Sequence, residues 1–209
     1  MANENIETEL KLGLVDTGQL DRLLASLPIP EGDVEQANTY LVDIQGRLKA
    51  AGIMLRIRTM RPIAALRPKA CVVTAKRGRK TSDGVFVADE YEQDLAVEAF
   101  AATQANPSVL LVNAGSAIRW VLDQANPKDL HVQGAMSNRR RVIAYEGLTL
   151  EIDETTFPGG HVDVEIEVET HNPEHARSVL LRHCQRLGVD LFNQPLAKYA
   201  RFLQHTSAI

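Results

Sequence analysis

Residues 161–169 read HVDVEIEVE. Val162, Val164, Ile166 and Val168 fall on one side of that run, and Asp163, Glu165, Glu167 and Glu169 on the other. Strict period-two alternation puts successive side chains on opposite faces and specifies a β-strand. Residues 5–14, NIETELKLGL, repeat the pattern, with Glu7, Glu9 and Lys11 opposite Ile6, Thr8, Leu10, Leu12 and Leu14. Side chains two apart on one face are about 6.5–7 Å from each other, so each strand carries a closely spaced line of charge. Five more runs read as strands. Residues 52–60 set Arg56 and Arg58 against Leu55 and Ile57, and residues 71–78 bring Lys76 near a strand end. Residues 86–95 place Glu90, Glu92 and Asp94 together, residues 138–145 pair Arg139 with Arg141, and residues 148–154 put Glu151 and Asp153 on one side.

An antiparallel sheet with one solvated side also alternates apolar and polar residues. Here, however, the charges are sorted by strand. Carboxylate pairs sit on residues 5–14, 86–95 and 161–169, and arginine pairs on 52–60 and 138–145. Like neighbours repel, so a solvated face mixes its signs. Sorted pairs fit a closed sheet whose polar faces converge on a ligand of both signs, namely a polyanion with divalent cations. Closure also removes exposed strand edges, and helices would cover the apolar outer faces. Four helical stretches are available: residues 16–28, residues 96–126 with a break at Asn106-Pro107, residues 173–188 ending at Gly188, and residues 195–203. Residues 31–36 read as a loop.

Composition sets outer limits. The 209 residues are 44% apolar and 24% charged, a globular balance with no long linker, and one domain over residues 1–209 is expected. The net charge of -4 argues against a general nucleic-acid binder. The first ten residues hold no apolar leader segment, and no run is long enough to span a bilayer. A cytoplasmic protein is expected, with Cys71 and Cys184 as packed thiols rather than a disulfide.

The charged runs, taken in order, resemble the CYTH superfamily, or triphosphate tunnel metalloenzymes. ETELK at residues 7–11 resembles its ExExK signature, LRIR at 55–58 its LRxR strand, and VVTAK its strand ending at Lys76. DEYE at 89–92, NRRR at 138–141, LTLEIDET around Asp153 and GGHVDVEIE with Glu165 and Glu167 follow in the family's order. LAKYARFL at 196–203 resembles its C-terminal plug helix, with Lys198 reaching the tunnel. The resemblance runs over residues 6–203. It departs from the family at Val42, where an aspartate is usual, and at Ala88, where an arginine often stands. In NRRR a one-residue shift would bring Arg140 inward in place of Arg139 and Arg141.

The resemblance implies an α+β fold: a closed antiparallel β-barrel of about eight strands around a polar tunnel, with helices outside and a C-terminal plug. It also implies roles. Glu7, Glu9, Asp153, Glu165 and Glu167 are expected to hold Mg2+ or Mn2+, which prefer hard oxygen ligands. Lys11, Arg56, Arg58, Lys76, Arg139, Arg141 and Lys198 are expected to bind phosphates, and Glu90 and Glu92 to orient water or hold a second metal. Asp153 has a second role open to it, pairing with an arginine. The expected activity is hydrolysis of a small-molecule triphosphate, foremost inorganic triphosphate to pyrophosphate and phosphate. A class IV adenylyl cyclase, a thiamine triphosphatase and a non-catalytic polyphosphate- or RNA-binding barrel are the alternatives. No nucleic-acid or membrane partner is expected, and the protein would be a monomer or homodimer.

Overall fold

The computed structural model describes residues 5–206, so residues 1–4, where the search for a leader segment starts, lie outside the described residues. Eight strands close into an antiparallel barrel. They are β1 (Ile6–Leu14), β2 (Gly32–Val42), β3 (Ile53–Pro62), β4 (Ala70–Ser82), β5 (Val85–Asp94), β6 (His131–Tyr145), β7 (Leu148–Thr156) and β8 (Val162–Glu169). Their order around the barrel is β5, β4, β3, β2, β6, β7, β8, β1, and β1 closes the ring on β5 from Ile6 opposite Asp89 to Leu10 opposite Val85. A short β9 (Leu191–Asn193) continues along β1 beside Leu12–Leu14.

β2 corrects the sequence reading, which had residues 31–36 as a loop and no strand after them. The reason is that neither face carries a continuous apolar line; on the outer face only Leu41 joins the core. Gln36, Asn38 and Tyr40 are buried inside the barrel, while Asp33 and Glu35 on the outer face pair with Arg139 and Arg61. Without an apolar line, the strand gives no alternation to detect.

Helices cover the rest of the barrel. α1 (Leu20–Ala25) and α6 (Pro173–Leu187) bury Leu23, Ala176, Leu180 and Cys184 against Leu10, Leu12, Ile152 and Ile166. α6 is capped by Asn172, whose Oδ1 accepts from the His175 backbone N–H at 3.1 Å, and it stops at Gly188 with φ 64°. α2 (Arg47–Ala50) follows β2, and α3 (Phe100–Ala105), α4 (Val109–Val112) and α5 (Ser116–Gln124) follow β5. α4 and α5 pack Leu110, Ile118 and Val121 on Leu55, Ile57, Val73 and Ala75. Each fully buried aliphatic side chain here contributes about 1.5–3 kcal/mol. The break expected at Asn106-Pro107 is present, and Asn113–Gly115 adds a second.

α7 (Lys198–Thr206) differs from the other helices because it closes one end of the barrel. Its Phe202 is completely buried among Tyr40, Met136 and Phe157, all from barrel strands or their ends. Gly134 permits this approach, since a Cβ there would lie 2.9 Å from the Phe202 ring.

Candidate active site

The inward faces of the strands surround a cavity of about 840 Å³. β1 and β8 line it with Glu7, Glu9, Lys11 and Glu167, β7 with Glu151, and β5 with Glu90 and, at the exposed mouth, Glu92; Asp153 of β7 and Glu165 of β8 are buried on the same inward faces without lining the cavity themselves. The basic residues come from β3 (Arg56, Arg58), β4 (Lys76), β6 (Arg140) and α7 (Lys198). The structure thus brings most of the expected residues together.

Arg139 and Arg141 are the correction. Both point outward on β6: the Arg139 guanidinium grips Asp33 at 3.0 and 2.7 Å, and Arg141 lies 3.6 Å from Glu154. Arg140 is the inward residue, opposite Asp153 across β7. The sequence held a signal for this. Arg139 and Arg141 share parity with Ile143, which packs in the outer core, so a strand reading anchored on Ile143 turns Arg140 inward. Sequence reasoning also left Glu151 without a role and missed Tyr40, Asn38 and Arg201. β2 went unread, and Arg201 stands one helical turn after Lys198.

Two ionic networks organise the tunnel. In the first, Lys76 Nζ contacts Glu7, lies 3.0 Å from Glu9 and 3.1 Å from Glu90, while Lys11 Nζ lies 2.9 Å from Glu9 and contacts Glu167. Burial, the Glu9 charge and a hydrogen bond with Glu90 push the Glu7 carboxyl up to about 8, against the pull of Lys76. Burial works in the same direction on Glu90, but the Glu7 hydrogen bond and the charges of Lys76 and Arg56 hold it low. The Glu7–Glu90 pair therefore shares a proton when no metal is bound.

The second network centres on Asp153, which is fully buried. Its oxygens accept from Arg140 at 2.8 and 2.5 Å and from Lys198 at 2.6 Å. Burial alone would raise its pKa, yet Lys198 and Arg140 hold it well below the usual carboxylate range. Lys198 also lies 2.7 Å from Glu167 and contacts Glu165, and Arg140 reaches Glu167 at 2.6 Å and contacts Glu151. Arg201 secures the outer side of the cluster, bonding Glu165 at 2.6 Å and Asp163 at 2.5 Å.

Oxygens of Asp153, Glu165 and Glu167 all lie within 4.8 Å of one another. This all-carboxylate set matches the oxygen preference of a hard divalent cation. Glu165 Oε1 is buried and accepts no hydrogen bond, although the Lys198 ammonium lies against it. The residues present fit a metal site.

The family model of the CYTH domain matches residues 5–190. The chain belongs to the CYTH family. This CYTH chain resembles the structure of HpAC1 from Hippeastrum, named as an adenylyl cyclase with a dominant triphosphatase activity, at 29% identity and a TM-score of 0.85 over 95% of both chains. An adenylate cyclase-named protein of Bacillus halodurans shares 24% identity and a TM-score of 0.70, over 95% of this chain and 98% of that one. PH1819 of Pyrococcus horikoshii has the same fold at 18% identity and a TM-score of 0.61, covering 95% of this chain and 98% of its own. Among curated proteins no match is found. No helix among the described residues is long and apolar enough to cross a membrane.

Proposed function

We propose that this CYTH protein is a divalent-metal-dependent triphosphatase that cleaves inorganic triphosphate to pyrophosphate and phosphate. The observation that carries the proposal is the two-signed tunnel. Arg56 and Arg58 stand on one wall, carboxylates of β1, β8 and β5 on the other, and α7 closes an end. A compact polyanion suits a space closed in this way. The triphosphatase activity described for the Hippeastrum protein supports the same assignment.

In this proposal Lys11, Arg56, Arg58, Lys76, Arg140 and Lys198 bind the phosphate oxygens, arginines as forks and lysines as point charges. Glu7, Glu9, Glu165 and Glu167 would hold Mg2+ or Mn2+, and Asp153 would complete that set while orienting Arg140 and Lys198. A bound divalent ion supplies Lewis-acid stabilisation of charge on the phosphate oxygens. Glu90 and Glu92 orient a water in line with the terminal phosphorus and take up its proton. The water oxygen bonds to that phosphorus as its bond to the bridging oxygen breaks, and pyrophosphate leaves with the electron pair. Little covalent chemistry is asked of the protein; positioning and charge neutralisation dominate.

Side-by-side assays with inorganic triphosphate, ATP and thiamine triphosphate, each with Mg2+, Mn2+ or EDTA, test the proposal. Phosphate and pyrophosphate from triphosphate, far ahead of either organic substrate and lost in EDTA, are expected. Substantial cyclic AMP from ATP with little cleavage of triphosphate would overturn it.

A further inference from the structure

β2 brings an unassigned phenol into the tunnel. Tyr40 is 1% exposed and lines the cavity. It stands directly opposite Arg56 in the β2–β3 register, and its neighbour on the inward face, Asn38, stands opposite Arg58. The β2–β6 register shifts just after Tyr40, with Gln133 as the extra residue, and such bulges re-aim side chains beside active sites. Tyr199 and Phe202 hold the ring at centroid distances of 4.8 and 4.6 Å, so the hydroxyl has a fixed direction.

That hydroxyl has no good acceptor for its proton. Its one protein acceptor among the described residues is the Met136 sulfur at 3.9 Å, and a thioether is a weak acceptor. Three cations, Arg56, Arg58 and Lys198, act on the phenol and favour its ionised form. Burial nevertheless dominates and raises its pKa, so the phenol is neutral and keeps its proton.

The surrounding wall is also poor in anions. Among the described residues Arg58 forms no ion pair; its Nε donates to the neutral Asn38 Oδ1 at 2.9 Å. Arg56 has only a distant carboxylate, Glu90 at 3.9 Å. Arg56 Nε and Asn38 Nδ2 are buried donors without a partner. Elsewhere in the tunnel Lys11, Lys76, Arg140 and Lys198 each contact at least two carboxylates. Buried donors left unmade are costly, and here they cluster on one wall around the two least neutralised cations.

We infer that Tyr40 is a substrate-positioning residue that donates its phenolic proton to a non-bridging oxygen of the phosphate held by Arg56 and Arg58. The inference rests on the proposed triphosphatase activity. It gives β2 a part in substrate recognition, through a neutral donor whose direction depends on the plug helix.

Tyr40→Phe tests it, because the substitution keeps the ring between Tyr199 and Phe202 and removes only the hydroxyl. With inorganic triphosphate and Mg2+, KM is expected to rise about tenfold with kcat little changed, as for an interaction made equally before and during reaction. The melting temperature should stay that of the wild type. An unchanged KM would overturn the inference. So would a risen KM accompanied by a fallen melting temperature, because the hydroxyl would then be serving the fold. If the wild type cleaves no triphosphate, the functional proposal fails separately, and calorimetric titration with inorganic triphosphate and Mg2+ still decides on Tyr40. A roughly tenfold weaker Kd in the variant upholds the contact, and equal Kd values reject it.

Discussion

Glu7 and Glu9 are neighbours on one face of β1, yet their surroundings make them opposites. Glu9 lies between Lys11 and Lys76, whose charges outweigh burial and keep it ionised. Glu9→Gln leaves those two ammonium groups with less compensation. The expected result is a lower melting temperature without metal and a loss of turnover beyond the ~10–100-fold typical of outer-shell partners. Turnover close to wild type would remove Glu9 from the proposed metal site. Glu7 instead holds a proton up to about pH 8 in the metal-free fold, against 4.5 as its ordinary value. Between those values the folded protein keeps a proton that the unfolded chain has released, so stability falls as pH rises through that window. Glu7→Gln fixes the neutral form. In EDTA its melting temperature should therefore decline less than that of the wild type from pH 5 to pH 8, and parallel curves would rule out the shared proton. The acidic pairs themselves were legible in the sequence, because a strict alternation leaves little choice of face. Which arginine of NRRR points inward was not, since three adjacent bases give no parity of their own; only the packing of Ile143 supplies it.

The two elements that most shape the site were read unequally. β1, β3, β4, β5, β7 and β8 announce themselves by an apolar face that the helices cover. β2 does not, because its outer face is ion-paired at Asp33 and Glu35 and apolar only at its end, where Leu41 joins the core, while its inner face carries the polar Gln36, Asn38 and Tyr40. Such a strand is visible only through its pairing with β3 and β6. The C-terminal helix was legible as an element, but its energetic role was not. Lys198 looked like an independent phosphate ligand; in the structure it is a buried counter-ion for Asp153, Glu165 and Glu167. Removing one partner from a buried ionic network costs about 3–5 kcal/mol. Lys198→Ala should therefore lower the melting temperature markedly in EDTA as well as weaken triphosphate binding. Because the carboxylates left uncompensated fit a hard cation, millimolar Mg2+ should restore part of that loss, and do so more than it stabilises the wild type. An equal Mg2+ effect on both proteins would argue against a metal at this cluster. Phe202→Ala probes the same helix through packing rather than charge, and a loss of about 3–5 kcal/mol is expected, with no comparable rescue by Mg2+.

Across the whole molecule, the barrel keeps many ionised groups out of bulk water by matching them. Glu7, Glu9, Glu90, Glu92, Glu151, Asp153, Glu165 and Glu167 face Lys11, Arg56, Arg58, Lys76, Arg140 and Lys198, with Arg201 paired to Glu165. With Glu7 protonated, the metal-free tunnel is close to charge balance, and its least neutralised cations are Arg56 and Arg58. A triphosphate entering alone would satisfy that wall but bring several further negative charges beside the carboxylates of β1, β7 and β8. Repulsion between like charges is strong at these separations and in this environment. A divalent cation reverses the balance by joining phosphate oxygens to carboxylates. Metal and triphosphate should consequently bind with strong positive coupling, each raising the other's affinity by the same factor. Calorimetry with inorganic triphosphate and the wild-type protein is expected to show at least tenfold weaker binding in EDTA than with Mg2+, measured at a temperature where turnover is negligible. Equal affinities in the two conditions, with no phosphate released by the wild type, would instead mark a barrel that sequesters polyphosphate on its arginine wall and uses its carboxylates only to hold lysines in place.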